Sequence, residues 1–169
     1  MKEKEFLNSV TNSKIDVIEF LLQSLSAHGI RYCIIGGLAV NAYVEPVVSL
    51  DLDLVIAVDK IEELVAVFQK IGARIEKFEN SVNISDRRSD LRIQIQTDER
   101  YQEFLDRSVR KPVLGYEINV AAIEDVLRGK LWAYRDDTRR KSKRQKDLAD
   151  IMRLVEVYPQ LKNLLPDSF

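Results

Sequence analysis

Two short stretches of this chain carry residue types and spacings suited to chemistry. Ile34-Ile35-Gly36-Gly37-Leu38-Ala39 ends an apolar run in a glycine pair, and Ser49-Leu50-Asp51-Leu52-Asp53-Leu54-Val55-Ile56 threads two carboxylates through a second apolar run. Side chains alternate across a β-strand, so Asp51 and Asp53 project from one face. Two neighbouring carboxylates repel unless a cation lies between them. An all-oxygen donor pair suits Mg²⁺, which keeps waters and substrate phosphates among its ligands. Gly36 and Gly37 leave backbone amides open to close approach by a phosphate. The combination describes a place for a metal-bound nucleoside triphosphate. Taken singly, a glycine pair is a tight turn and an Asp-x-Asp strand is a solvated sheet face. Here Leu50, Leu52, Leu54 and Ile56 occupy the opposite face, while the first face reads Asp51, Asp53, Val55, Ala57. Charge is confined to one strand end, as at a site.

These elements resemble the nucleotidyltransferase superfamily of the DNA polymerase β type, and within it the stand-alone prokaryotic proteins related to AbiEii toxins. Gly36, Gly37 and Ala39 match the Gly-Gly-x-Ala element, and Asp51 and Asp53 match the carboxylate pair. Ser49 stands at a usual Thr and Val47 at a usual Arg. The resemblance implies a nucleotidyltransferase fold, α/β (α+β), with a mixed sheet flanked by helices and a helical C-terminal part. It implies transfer of a nucleoside monophosphate from a Mg²⁺–nucleoside triphosphate to a hydroxyl acceptor on RNA, protein or a small molecule, and an antitoxin-like partner. Asp51 and Asp53 would hold Mg²⁺, and Gly36, Gly37 and Ser49 would cradle phosphates. In the AbiEii-like pattern a Lys on one helix precedes Lys-Asp-x-x-Asp on the next; Lys130 and Lys146-Asp147-Leu148-Ala149-Asp150 stand in that arrangement. Lys130 and Lys146 would neutralise developing charge, and Asp150 joins the nucleotide-binding set. Lys146 and Asp150 also lie one helical turn apart, so a plain surface ion pair competes with the phosphate role.

The third carboxylate of such sites comes from a later strand, here Leu91-Arg92-Ile93-Gln94-Ile95-Gln96. Gln94, or Gln96 in the other register, takes its place. A glutamine carbonyl can ligate a metal but neither adds charge nor accepts a proton, and the third acid helps activate the attacking hydroxyl. The alternative reading is therefore a weak or inactive nucleotide-binding or regulatory module, unless Asp90 or Asp98 substitutes. A third option is an interaction protein using the basic helix.

The elements that must position these residues follow from periodicity. Ile15, Ile18, Phe20, Leu21, Leu22 and Leu25 recur at helical spacing before Gly29. Strands are expected over 31–35, 51–57, 73–77, 82–85, 91–96 and 116–120, with helices over 38–43, 61–71, 100–106, 123–134 and 144–158. Residues 1–120 would form the core and 121–169 a helical part packed on it. Asp86–Asp90 reads as a polar hairpin loop. His28, the only histidine, caps a helix or lies exposed, and Trp132 and Tyr134 are core contacts, with base stacking as the minor option. Arg139–Lys146 holds six cations with almost no aromatic interleaving, against a single-strand stacking platform. It is a solvated helix start or an electrostatic trap for phosphates or an RNA end.

Composition bounds the rest. The 169 residues can bury one sizeable core, and 26 basic residues against 27 acidic ones give no global nucleic-acid signature. No DNA-specific binding motif is present. The single Cys33 excludes disulfides and cysteine zinc sites. No signal peptide or membrane span is legible, so a cytoplasmic location is expected.

Overall fold

The computed structural model describes residues 2–169. The chain runs through α1 (Glu3–Val10), α2 (Val17–Ala27), β1 (Tyr32–Ile35), α3 (Gly36–Val40), β2 (Asp51–Ile56), α4 (Ile61–Lys70), β3 (Arg74–Lys77), β4 (Ser81–Ser85) and β5 (Arg92–Gln96). It continues through α5 (Phe104–Arg107), β6 (Val109–Val113), β7 (Tyr116–Val120), α6 (Ile123–Arg135) and α7 (Lys141–Val157). This is the mixed α/β architecture expected. The seven strands form one sheet in the order β3-β4-β5-β2-β1-β7-β6. Pairing is parallel for β2–β5 and β1–β7 and antiparallel elsewhere. Among the described residues no helix is long and apolar enough to cross a membrane.

Local chemistry explains most boundaries. The Asp16 carboxylate accepts from the Glu19 amide at 2.9 Å and caps α2, and Gly29 (φ 61°) turns the chain out of it. Leu52, Leu54 and Ile56 alternate into the core at 1 % exposure or less. Leu50, expected on the same face, is 40 % exposed because it lies one residue before the strand begins. The helix expected over 100–106 is broken into a 3-10 turn at Glu99–Tyr101 and the short α5. Two elements escaped the sequence reading. Helix α1 buries only Leu7, too little to show a periodic stripe. Strand β6 carries Arg110, Lys111 and Pro112, which a sheet tolerates here because β6 is an edge strand.

The connection between β4 and β5 is the expected polar loop, and it leans on the chain after α1. Asn12 donates to Asp90 at 2.7 Å, and the Asp90 amide donates to the Thr11 carbonyl at 2.7 Å. Cys33 is fully buried, and His28 caps the C-terminus of α2 with Nδ1 2.9 Å from Glu63 Oε1.

Helix α6 is fixed by a buried carboxylate. Asp125, at 0 % exposure, accepts from Arg107 Nε at 2.8 Å and from Arg128 Nη1 at 2.8 Å. The two guanidiniums reach it from half-exposed positions, so removing them strands the charge in the interior, whereas removing Asp125 leaves both cations near water. Arg107→Ala with Arg128→Ala should therefore lower unfolding free energy by about 3–5 kcal/mol. Asp125→Ala should cost less, about 1–3 kcal/mol. Urea melts of the two variants rank them, and the opposite order would refute this account.

Candidate active site

Strand β1 ends at Ile35, which pairs with Asp53 of the antiparallel β2. The next residue, Gly36 (φ 70°), therefore passes directly over the Asp53 carboxylate: a Cβ there would collide with Asp53 Oδ2 and lie 3.1 Å from Asp53 Cβ. Glycine is thus required at 36 twice, by the positive φ and by the carboxylate beneath it. Gly37 is more open; a Cβ would meet nothing nearer than Ser49 Oγ at 3.8 Å. Ser49 is buried, and its hydroxyl closes on Asp51, accepting from the amide and donating to the carbonyl at 3.2 Å each.

Strand β5 lies parallel beside β2 with Arg92 opposite Asp51 and Gln94 opposite Asp53. Directly opposed residues share a face, so this register puts Gln94 rather than Gln96 beside Asp53. Asp90 is held by Asn12, and Asp98 accepts from Arg100 Nε and Nη2 at 2.9–3.3 Å. Among the described residues no group of three or more Asp, Glu, His or Cys side chains is placed to hold a metal.

Helices α6 and α7 stand over this face and enclose a cavity of about 70 Å³. Gly36, Asp53, Gln94, Tyr101, Lys130 and Arg139 line it. Lys130, 6 % exposed, has Nζ 3.1 Å from Asp147 Oδ1 and 2.8 Å from Asp150 Oδ2. Asp147, 1 % exposed, also takes Arg139 through Nε at 2.7 Å and Nη2 at 3.3 Å. One buried carboxylate thus orients both cations that face Asp53. Asp150 further accepts from Arg153 at 2.8 Å, whose other arm reaches the Glu45 carbonyl. Asp150 consequently lies behind Lys130, outside the cavity wall. Lys146 is exposed, forms no ion pair among the described residues and does not line the cavity; the partner one turn away, Asp150, is taken by Lys130 and Arg153.

Sequence reasoning missed Arg139 and the orienting role of Asp147. Arg139 lay inside a run of six cations with nothing local to single it out; it sits in the turn between α6 and α7 and folds back onto Asp147, eight residues further on. Trp132 is engaged rather than free: Phe104 stacks on it at 5.6 Å, Tyr101 meets it edge-on at 5.0 Å, and the Arg100 guanidinium lies over the ring at 4.6 Å. Tyr134 packs edge-on to Phe169 at 5.6 Å.

The electrostatics single out Asp53. Burial, then the Asp51 charge, raise its pKa to about 6, against the opposing pull of Lys130, Arg139 and Lys143. Its Oδ1 is buried without a hydrogen-bond partner. An orphaned carboxylate oxygen beside a second carboxylate, with an amide carbonyl across the strand, is a donor set that fits a hard divalent cation.

The model of the family described as "Nucleotidyl transferase AbiEii toxin, Type IV TA system" matches residues 19–169. The chain belongs to the AbiEii nucleotidyltransferase family. No curated protein matches its sequence. Among solved structures, ANT(2")-Ia in complex with adenylyl-2"-tobramycin aligns at TM-score 0.66 and 15 % identity, over 88 % of this chain and 90-odd per cent (92 %) of that one. The lincosamide antibiotic adenylyltransferase LnuA, lincomycin-bound, aligns at TM-score 0.59 and 12 % identity, over 85 % of this chain and 99 % of that one. An antigenic nucleotidyltransferase-like protein from Paracoccidioides brasiliensis aligns at TM-score 0.55 and 20 % identity, over 89 % and 75 %. At these identities the likeness shows the fold: this AbiEii-family chain is built on the nucleotidyltransferase scaffold.

The raised Asp53 pKa has a consequence for stability. A folded-state pKa near 6 against an ordinary value near 4 means the native state holds this proton more tightly. The resulting stability is fully present below about pH 4 and is lost as pH rises through about 6. Its size is on the order of 2–3 kcal/mol. Asp53→Asn removes the charge without changing shape, so it should raise the melting temperature at pH 7.5 and leave it nearly unchanged at pH 4. Melts of both proteins across that range provide the check; a variant less stable than the parent at pH 7.5 would contradict it.

Proposed function

We propose that this AbiEii-family protein transfers a nucleoside monophosphate from a metal-bound nucleoside triphosphate to a hydroxyl acceptor and releases pyrophosphate. The observation that carries this reading is the partnerless Asp53 Oδ1, buried beside Gly36 and faced by Lys130 and Arg139. A metal-bound triphosphate would complement this carboxylate with both charges at once: the cation would meet the carboxylates and the phosphates would meet the lysine and arginine.

Asp51 and Asp53, with the Gln94 carbonyl, would hold the divalent cation, of which Mg²⁺ is the expected one; bound there it would neutralise phosphate charge as the bond to the leaving group breaks. The open backbone at Gly37 would receive phosphate oxygens. Lys130 and Arg139 would stabilise the charge that develops on the departing pyrophosphate, pre-oriented by Asp147 so that little reorganisation is needed at the moment of reaction. The small cavity admits a phosphate group but not a whole nucleotide. The remainder would occupy the adjoining cleft of about 500 Å³, which shares Gln96, Tyr101, Ala133 and Arg139 with it. In the reaction the acceptor oxygen forms its bond to the α-phosphorus, the bond from that phosphorus to the β-bridging oxygen breaks, and the hydroxyl proton passes to solvent water. Gln94 cannot take that proton, so turnover should be slow.

The cation role assigned in sequence to Lys146 falls here to Arg139, and Asp150 acts by holding Lys130. A protein partner of the antitoxin kind and an RNA, protein or small-molecule acceptor go with the family reading.

ATP or another triphosphate should bind more tightly with Mg²⁺ than with EDTA, and Asp51→Asn with Asp53→Asn should abolish the difference. Lys130→Ala and Arg139→Ala should each weaken binding roughly ten- to a hundredfold, the worth of about 1.5–3 kcal/mol for a charge-assisted contact. Lys146→Ala should leave it unchanged. Calorimetric titration measures all five proteins; metal-independent binding, or a loss confined to Lys146→Ala, would sink the assignment. In label transfer from radiolabelled triphosphates, Gln94→Asp should exceed the parent.

A further inference from the structure

Site chemistry of this kind, in its two-ion form, sets three carboxylates against two divalent cations, one clamping the attacking oxygen and the other the leaving group. This chain changes two things together. Gln94, neutral, stands opposite Asp53, and Arg92 stands opposite Asp51 on the same face of β5. Arg92 Nε lies 2.8 Å from Asp51 Oδ1, with Asp51 28 % and Arg92 58 % exposed. A carboxylate is missing, and a guanidinium is salt-bridged to one of the two that remain.

We infer that the site takes a single divalent cation, and that Arg92 is a built-in positive charge standing in for the second. The inference rests on the metal–nucleotide reading above. The two departures compensate: losing one negative charge and gaining one positive charge leaves a net charge of about −1 from Asp51, Asp53 and Arg92, against −3 for three carboxylates. That suffices to attract one divalent ion carried by a triphosphate and disfavours a second. The geometry leaves the necessary donors open. Arg92 contacts Oδ1 of Asp51, and the Asp53 Oδ1 is free. A donor bonded to a metal-binding carboxylate also orients it, as outer-shell partners do. Arg92 is therefore a positioning residue, held in register by the strand pairing rather than by local sequence.

The discriminating measurement is the number of Mn²⁺ ions bound per chain in complex with a non-hydrolysable ATP analogue, by equilibrium dialysis. The parent should bind one. Gln94→Asp should still bind one, because Arg92 remains, whereas Arg92→Gln with Gln94→Asp should bind two. Arg92→Gln alone keeps an N–H donor for Asp51 but removes the charge. It should tighten the single Mn²⁺ about tenfold, the worth of one unit charge facing a divalent ion a few ångströms away in a water-like dielectric. Arg92→Lys, which keeps the charge, should match the parent. Two ions in the parent or in Gln94→Asp, or one in the double variant, would overturn the inference while leaving the nucleotide reading intact. An Arg92→Gln affinity equal to the parent's would overturn the role of Arg92. No Mn²⁺ and no analogue bound at all would overturn both.

Discussion

The rest of the site depends on a carboxylate whose Oδ1 is buried with no hydrogen-bond partner. Asp53 sits in β2, the central strand of the sheet, covered by the Gly36 backbone on one side and by α6 and α7 above. Its charge is expensive there, which is why its pKa rises to about 6. Every unusual choice around it reads as a response to that constraint. Gly36 is glycine because a methyl group has no room over Oδ2. Lys130 and Arg139 bring positive charge to the same cavity without closing an ion pair on Asp53, so its Oδ1 stays open. A fully satisfied carboxylate would make a more stable protein and a poorer ligand.

The cations in turn need a counter-charge that is not Asp53, and Asp147 supplies it. Almost wholly buried, it accepts from both Lys130 and Arg139, fixing them in direction while leaving them aimed at the cavity. Asp150 continues the chain of charge through Arg153 to the Glu45 carbonyl, so helix α7 is also tied to the loop that precedes β2. The same loop is gripped from the other side by Asn41, whose amide bonds Val47 at both its carbonyl (2.7 Å) and its amide (3.0 Å). The approach to the carboxylate strand is thereby held by side chains rather than by regular secondary structure.

What could be read from the sequence divides by range of interaction. Gly36-Gly37 and Asp51-x-Asp53 declare themselves because strand alternation and glycine geometry are local. Gln94 was legible through the alternation of its own strand, and the pairing with β2 then chose it over Gln96. The strands and the helical C-terminus followed from the apolar periods, and the mixed sheet from the family resemblance. The exceptions have physical causes. An edge strand needs little apolar surface, so β6 with Arg110, Lys111 and Pro112 carries no strand pattern to read. Lys146 lies beside Asp147 in sequence, but the helix phase that buries Asp147 and Asp150 turns Lys146 to water. Arg92 pairs with Asp51 on a neighbouring strand and Arg139 folds back onto Asp147 across the turn into α7, and no apolar period records either pairing.

The site is divided along the chain in a way that bears on its assembly during synthesis. The glycines and carboxylates lie in the first third, while Lys130, Arg139 and Asp147 lie in the last third and reach them only through packing of α6 and α7. Strand β7, which leads into α6, pairs with β1 at the far end of the sequence order. Such non-local closures come late, after the entropy of the intervening loop has been met. A chain emerging from the ribosome therefore carries the acidic half of the site well before the basic half exists. For a family named after a toxin, this order leaves the nascent protein without the cations that share the Asp53 cavity until translation is nearly finished.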